Sequence, residues 1–79
     1  MYKEIDYLKF ILEGLVSNID DIKIDRLEDE LGVLLTLSVA KEDMGIIIGK
    51  GGNTVNSLRS ILRLLGVKIG KKINLKVLD

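Results

Sequence analysis

The chain has 79 residues, no cysteine and no histidine, and its 12 basic and 12 acidic side chains cancel. One small domain is expected, burying roughly 60% of its unfolded surface; disulfides, thiolate metal sites and the commonest general base are excluded together. No apolar run approaches the ~18 residues of a membrane span, and charges from the third residue onward are unlike a signal peptide, so a cytoplasmic chain is expected.

The zero net charge hides a segregation. Residues 1–43 carry five basic side chains against eleven acidic ones, a balance of −6, while residues 44–78 carry seven against none, +7, and Asp79 returns the sum to zero. Such asymmetry points to nucleic-acid contact or to pairing of the two halves across the fold.

In chain order, residues 2–16 read as an amphipathic helix with Ile5, Leu8, Leu12, Leu15 and Val16 at helical spacing. Gly14 weakens its last turn by about 1 kcal/mol relative to alanine. The three aromatics, Tyr2, Tyr7 and Phe10, all fall on this helix, where packing against the core is their expected role. After Asp20-Asp21, Ile22 and Ile24 alternate with Lys23 and Asp25 as a strand, and Glu28-Asp29-Glu30 with Gly32 make an acidic, solvated turn expected to lie away from any polyanion. Val33, Leu35, Leu37 and Val39 then line one face of a second strand, antiparallel to the first. A short helix over about 41–48 has Glu42 and Asp43 in its first turn, where the helix dipole favours them.

The chemically distinctive stretch is Ile46-Ile47-Ile48-Gly49-Lys50-Gly51-Gly52. A four-residue loop with glycine at both ends takes positive φ without strain and keeps no Cβ between its main chain and a ligand. A third helix, about Asn53 to Leu65, starts at once, capped by Asn53, with Val55, Leu58, Leu62 and Leu65 as its stripe and Gly66 as its stop. The unpaired amides and positive dipole end of that helix, next to Lys50, favour an anion, phosphate above all. Arg59 and Arg63 stand one turn apart beside the stripe and could follow a phosphate backbone, or simply be solvated. Gly66–Lys72 forms a basic loop closed by glycines, and Ile73, Leu75 and Val77 alternate with Lys72, Asn74 and Lys76 in a last strand. That strand's lysines either flank a groove or protect a sheet edge.

The order helix, strand, strand, helix, glycine loop, helix, strand places a long crossover between the second and third strands, which can therefore lie parallel. The expected fold is α+β, a three-stranded mixed sheet with three helices packed on one face.

Ile47-Ile48-Gly49-Lys50-Gly51-Gly52-Asn53-Thr54-Val55 followed by Leu58 resembles the [VI]-I-G-x-x-G-x-x-[IV]-x-x-[IL] signature of the KH domain. With its extra helix and strand ahead of the core, the chain resembles the bacterial type II form. Over nearly all its residues it is similar to the KhpA family of small single-domain proteins. The resemblance implies one KH domain over 1–79, with an N-terminal extension over 1–28 and a βααβ core over 33–78. It further implies an RNA-binding protein acting as an RNA chaperone; the mechanism expected on the residues is non-covalent, with no enzymatic activity, cofactor or metal. Such a protein works as a homodimer or with a KhpB-like partner that also contains a KH domain, and is linked to the cell envelope and cell shape. By position, Gly49, Lys50, Gly51 and Gly52 become the clamp on single-stranded RNA, and Ile47, Ile48, Val55 and Leu58 its apolar flanks, with some of these in the core. Asn53 stands where arginine is frequent, Ile46 where a polar or basic residue is, and Lys41 where proline is common. Arg59, Arg63, Lys71 and Lys72 are the further candidate phosphate contacts.

Gly45-x-x-x-Gly49-Lys50-Gly51 falls one residue short of the Walker spacing and lacks its Ser or Thr, which argues against a nucleotide-binding enzyme. Glu42-Asp43 and Asp20-Asp21 are expected to be solvated surface carboxylates rather than an acid–base pair. A protein-interaction module using Leu34, Ile46 or Leu64 as an exposed patch is the stronger rival.

Overall fold

Apolar residues spaced three and four apart draw the N-terminal segment into a helix, and period-two alternation draws the next two segments into strands. The structure, a computed structural model, describes residues 3–78; the Lys50 side chain, Tyr2 and Asp79 lie outside the described set. Its elements are α1 (Lys3–Glu13), β1 (Lys23–Asp29), β2 (Gly32–Ser38), α2 (Met44–Ile48), α3 (Asn53–Ile69) and β3 (Ile73–Val77). Short 3₁₀ turns at Ile19–Asp21 and Lys41–Asp43 lead into β1 and α2, and a turn at Lys50–Gly52, kinked at Gly51, leads into α3.

The sheet has the order β1-β2-β3, with β1 antiparallel and β3 parallel to the central β2. This is the expected α+β arrangement, a mixed sheet with the helices on one face. Leu8 and Leu12 of α1, Val33, Leu35 and Leu37 of β2, Ile47 of α2, Leu58 and Leu62 of α3, and Ile73 and Leu75 of β3 are buried together between the layers. Each such side chain contributes about 1.5–3 kcal/mol of hydrophobic stabilisation.

Several boundaries differ from the sequence expectation. Helix α1 stops at Glu13, not at residue 16, because Gly14 and Leu15 leave the helical path; the Gly14 and Leu15 amides close short turns onto Ile11 and Leu12. Val16 still reaches the core, while Leu15 does not. Phe10 is 75% and Tyr7 53% exposed, so neither is buried in the core as expected; the core quota of α1 is met by Leu8 and Leu12. The acidic turn is shorter than expected: Glu28 and Asp29 belong to β1, and Glu30-Leu31 alone connects the strands. The helix expected over 41–48 is divided into a 3₁₀ turn and α2.

Helix α3 runs past Gly66 to Ile69 and stops at Gly70, whose φ of 74° is the left-handed cap that glycine supplies. Gly66 has another reason to be glycine. A Cβ there would lie 2.3 Å from the Lys71 carbonyl oxygen, and the Lys71 amide donates to the Gly66 carbonyl at 2.9 Å. Gly32 does the same for the next residue: a Cβ would meet the Lys72 carbonyl at 2.3 Å. The Lys71-Lys72 backbone is thus seated between two glycines of different elements.

Candidate nucleic-acid interface

The glycine loop joins α2 to α3, as the sequence implies. Gly49 ends α2 with φ 64° and ψ −174°, its amide donating to Gly45 at 2.9 Å. A Cβ on Gly49 would lie 2.8 Å from Thr54 Oγ1, so both the backbone angle and the close approach of Thr54 demand glycine. Gly51 (φ 64°) and Gly52 (φ 78°) follow in the left-handed region, and the space around Gly51 is open to 4 Å. Asn53 does not cap α3, contrary to expectation. Gly52 holds the cap position, and among the described residues no side chain caps the helix. The leading amides of a 17-residue helix therefore have no side-chain acceptor beside an open, Cβ-poor loop. Such a place suits an anion lying close against main chain.

The flanking aliphatics divide by burial. Ile47 is fully buried, and Val55 and Leu58 are nearly so, which makes them the floor that fixes the loop. Ile48 and Ile46 are 41% and 45% exposed and offer surface on the α2 side. Asn53 is exposed at the head of α3.

Both arginines lie on the β3 side of α3. Arg59 donates from Nε to the Leu75 carbonyl at 3.2 Å and from Nη1 to Asn56 Oδ1 at 3.3 Å. Arg63 lines an open groove with Val67, Gly70, Lys71, Lys72 and Asn74. This groove is at the far end of α3, which rises about 25 Å over its length. The structure therefore strings the basic residues along one flank of α3 and the neighbouring edge strand, with Lys71 and Lys72 at the end opposite the glycine loop rather than beside it. The Lys50 side chain lies outside the described residues.

Comparison with known proteins bears on what this surface is for. The family model described as "KhpA/KhpB, KH domain" matches residues 5–77. The chain belongs to the KhpA/KhpB KH-domain family. Among its relatives, a protein of Borreliella burgdorferi named RNA-binding protein KhpA is 33% identical over 76 residues, covering 96% of this chain and 93% of the relative. Proteins of the same name from Aquifex aeolicus and Bacillus subtilis are 35% and 36% identical, each covering 94% of this chain and 94% and 91% of the respective relative.

Among the described residues, the acidic and basic halves of this KH domain pair little across the fold. Among the described residues, Lys71 is the one cation of the second half with a carboxylate in ion-pair range, at 3.0 Å from Glu28 Oε2. The acidic segment expected to lie away from the binding face thus sends Glu28 to Lys71, itself one of the candidate phosphate contacts. The sheet register sets Glu28 opposite Val33 and Val33 opposite Ile73, so two strand spacings, about 10 Å, separate Glu28 from the start of β3. Two long side chains span that gap.

Asp43, expected to be solvated, is buried. Its carboxylate accepts from the Ser17 and Asn18 amides at 2.9 and 3.0 Å and from Asn18 Nδ2 at 3.1 Å. The Ser17 amide above all, and the two Asn18 donors after it, outweigh burial and hold the Asp43 carboxyl below the usual aspartate range. Nothing in the sequence pairs residues 17–18 with 43; the contact exists because the exit of α1 passes over the start of α2.

The other flank of α3 is apolar. Tyr7 and Ile11 of α1 and Leu58, Ile61 and Leu65 of α3 line a groove of about 190 Å³. At 100° per residue Ile61 and Arg63 are 200° apart around α3, so this groove and the basic flank face different directions. Among the described residues, no three His, Cys, Asp or Glu side chains gather as metal ligands would, and no helix is long and apolar enough to cross a membrane.

Proposed function

We propose that this KH domain binds single-stranded RNA along the glycine loop and the basic flank of α3. The observation that carries the reading is the run of left-handed glycines, Gly49, Gly51 and Gly52, opening onto the uncapped head of α3. Phosphates lie against the loop amides and Lys50, and the strand passes Arg59 toward Arg63 and Lys72. Ile48 gives the bases an aliphatic contact. Among the described residues the aromatics, Tyr7 and Phe10, both belong to α1 and take no part, so single-domain binding is weak and tolerant of sequence.

A second reading accompanies this one and rests on the apolar groove between α1 and α3. An exposed Tyr7 and Ile61 around an all-apolar floor suit association with a second copy or with a KhpB-like partner, on a face that leaves the basic flank free. Two linked RNA-binding domains raise affinity through effective concentration, which fits an RNA chaperone assembled from weak modules. A cytoplasmic role tied to the cell envelope and cell shape is the corresponding cellular proposal.

Equilibrium binding of a labelled oligoribonucleotide across a salt series tests the RNA reading. With about three phosphates neutralised, log K against log salt has a slope of about −2. Affinity that does not fall between low and physiological salt contradicts it.

A further inference from the structure

The Lys71–Glu28 pair ends a line of alternating charges on the helix-facing side of the sheet. Glu4 of α1, almost wholly buried, accepts from Arg26 Nε at 2.6 Å. Arg26 Nη2 donates to Glu28 Oε1 at 2.6 Å, and Glu28 Oε2 receives Lys71 Nζ at 3.0 Å. Both oxygens of Glu28 are engaged, each by a different cation. Lys71 chiefly, then Arg26, keep the Glu28 carboxyl below the usual carboxylate range, so it is ionised at neutral pH.

An isolated surface pair of this kind is worth little and would yield to a phosphate. Here the carboxylate and the main chain of the lysine are held in place beforehand. Arg26 is 10% exposed and fixed by Glu4, so Glu28 is already oriented. The Lys71 main chain is seated on Gly66, with its amide bonded to the Gly66 carbonyl. A flexible RNA strand must order itself to take Lys71 from a carboxylate that is already ordered. The Glu28 charge also repels phosphate from the end of the groove that Lys71 lines with Arg63 and Lys72.

We propose that Glu28 withholds Lys71 from RNA, so that Arg63 and Lys72 alone take phosphate in the groove at the α3–β3 turn. Glu28 thereby limits affinity and salt dependence. This rests on the RNA-binding reading and adds a carboxylate that competes with the nucleic acid for one of the chain's own cations.

The test measures binding of a fluorescein-labelled oligouridylate by anisotropy over a salt series. Glu28→Gln frees one cation, so it tightens binding by about fivefold near 0.1 M salt and steepens the salt slope by about 0.7. Glu30→Gln removes the same charge from the hairpin tip, where among the described residues no cation pairs with it, and serves as the control for general charge effects. Lys71→Gln in the wild-type background, a change on an exposed turn, leaves affinity within about twofold, whereas Lys72→Gln weakens it by about fivefold. In the Glu28→Gln background, Lys71→Gln abolishes the gain. The proposal is overturned if Glu28→Gln binds no tighter than Glu30→Gln, or if Lys71→Gln alone weakens binding as much as Lys72→Gln. Those outcomes leave the RNA reading standing. A wild-type chain that does not bind the oligouridylate overturns both.

Discussion

Asn18 offers Asp43 both its backbone amide and its side-chain amide, at 3.0 and 3.1 Å, on the same carboxylate oxygen. The contact spans 25 residues and fastens the exit of α1 to the turn that launches α2, and α2 carries the glycine loop. A buried charge is thus used to set where the candidate RNA clamp begins.

Asp43→Asn should lower stability and flatten its acid dependence. The substituted amide nitrogen would face donors from Ser17 and Asn18 where an acceptor is needed. Because the folded-state carboxyl titrates below its ordinary value of 3.8, its stabilisation is present above that value and is lost as pH falls through the lower one. Urea melts from about pH 7 down to about pH 3 should show a shallower acid limb in the variant than in the wild type. Parallel limbs would mean that the contact contributes nothing in solution.

Three glycines should respond in different directions to alanine. Gly45, inside α2 with open space around it, should gain about 0.5–1 kcal/mol from the better helix former. Gly70 also has open space but a φ of 74°, so alanine there should cost about 1–2 kcal/mol. Gly66→Ala should be the most destabilising, since its Cβ would meet the Lys71 carbonyl at 2.3 Å and backbone must move. Thermal melts of the three variants give the order directly; a Gly66→Ala chain as stable as wild type would remove the reason given for that residue.

Charge placed in the apolar groove should separate self-association from RNA binding. Tyr7→Glu and Ile61→Glu alter exposed rim positions, so both should fold. Sedimentation should show less dimer or less partner complex, while RNA affinity per domain at low protein concentration stays within about twofold, because the groove and Arg63 face away from each other. A wild type that does not associate, or an association that neither substitution weakens, would contradict the proposed interface.

Much of this was legible in the sequence because the signals are local. Period-two runs such as Val33, Leu35 and Leu37, the helical stripe Leu58-Leu62, and Gly49–Gly52 between two helical segments each depend on neighbours within a few residues. The long crossover then allowed the parallel β2–β3 pairing that is found. What was not legible depends on three-dimensional contact. Gly66 looked like a stop because its true partner, the Lys71 carbonyl, is brought back only by the turn after α3. Tyr7 and Phe10 looked like core because the room beneath α1 is fixed by the other layer, and Leu8 and Leu12 fill it. The Glu28–Lys71 and Asp43–Asn18 contacts carry no sequence signature, since an acid 43 or 25 residues from its donor has many other possible partners.

The most direct measurement is oligoribonucleotide binding by the Lys50→Asp, Gly51→Asp double variant beside the wild type, with folding checked by circular dichroism. Gly51 has open space, and aspartate accepts left-handed backbone better than most residues, so the fold should survive with a loss of about 1 kcal/mol. Two carboxylates at the loop should weaken binding by at least about tenfold and make the salt slope less negative than −2. A folded double variant that binds RNA as tightly as the wild type, with the same salt slope, would contradict the assignment of this loop as the phosphate clamp.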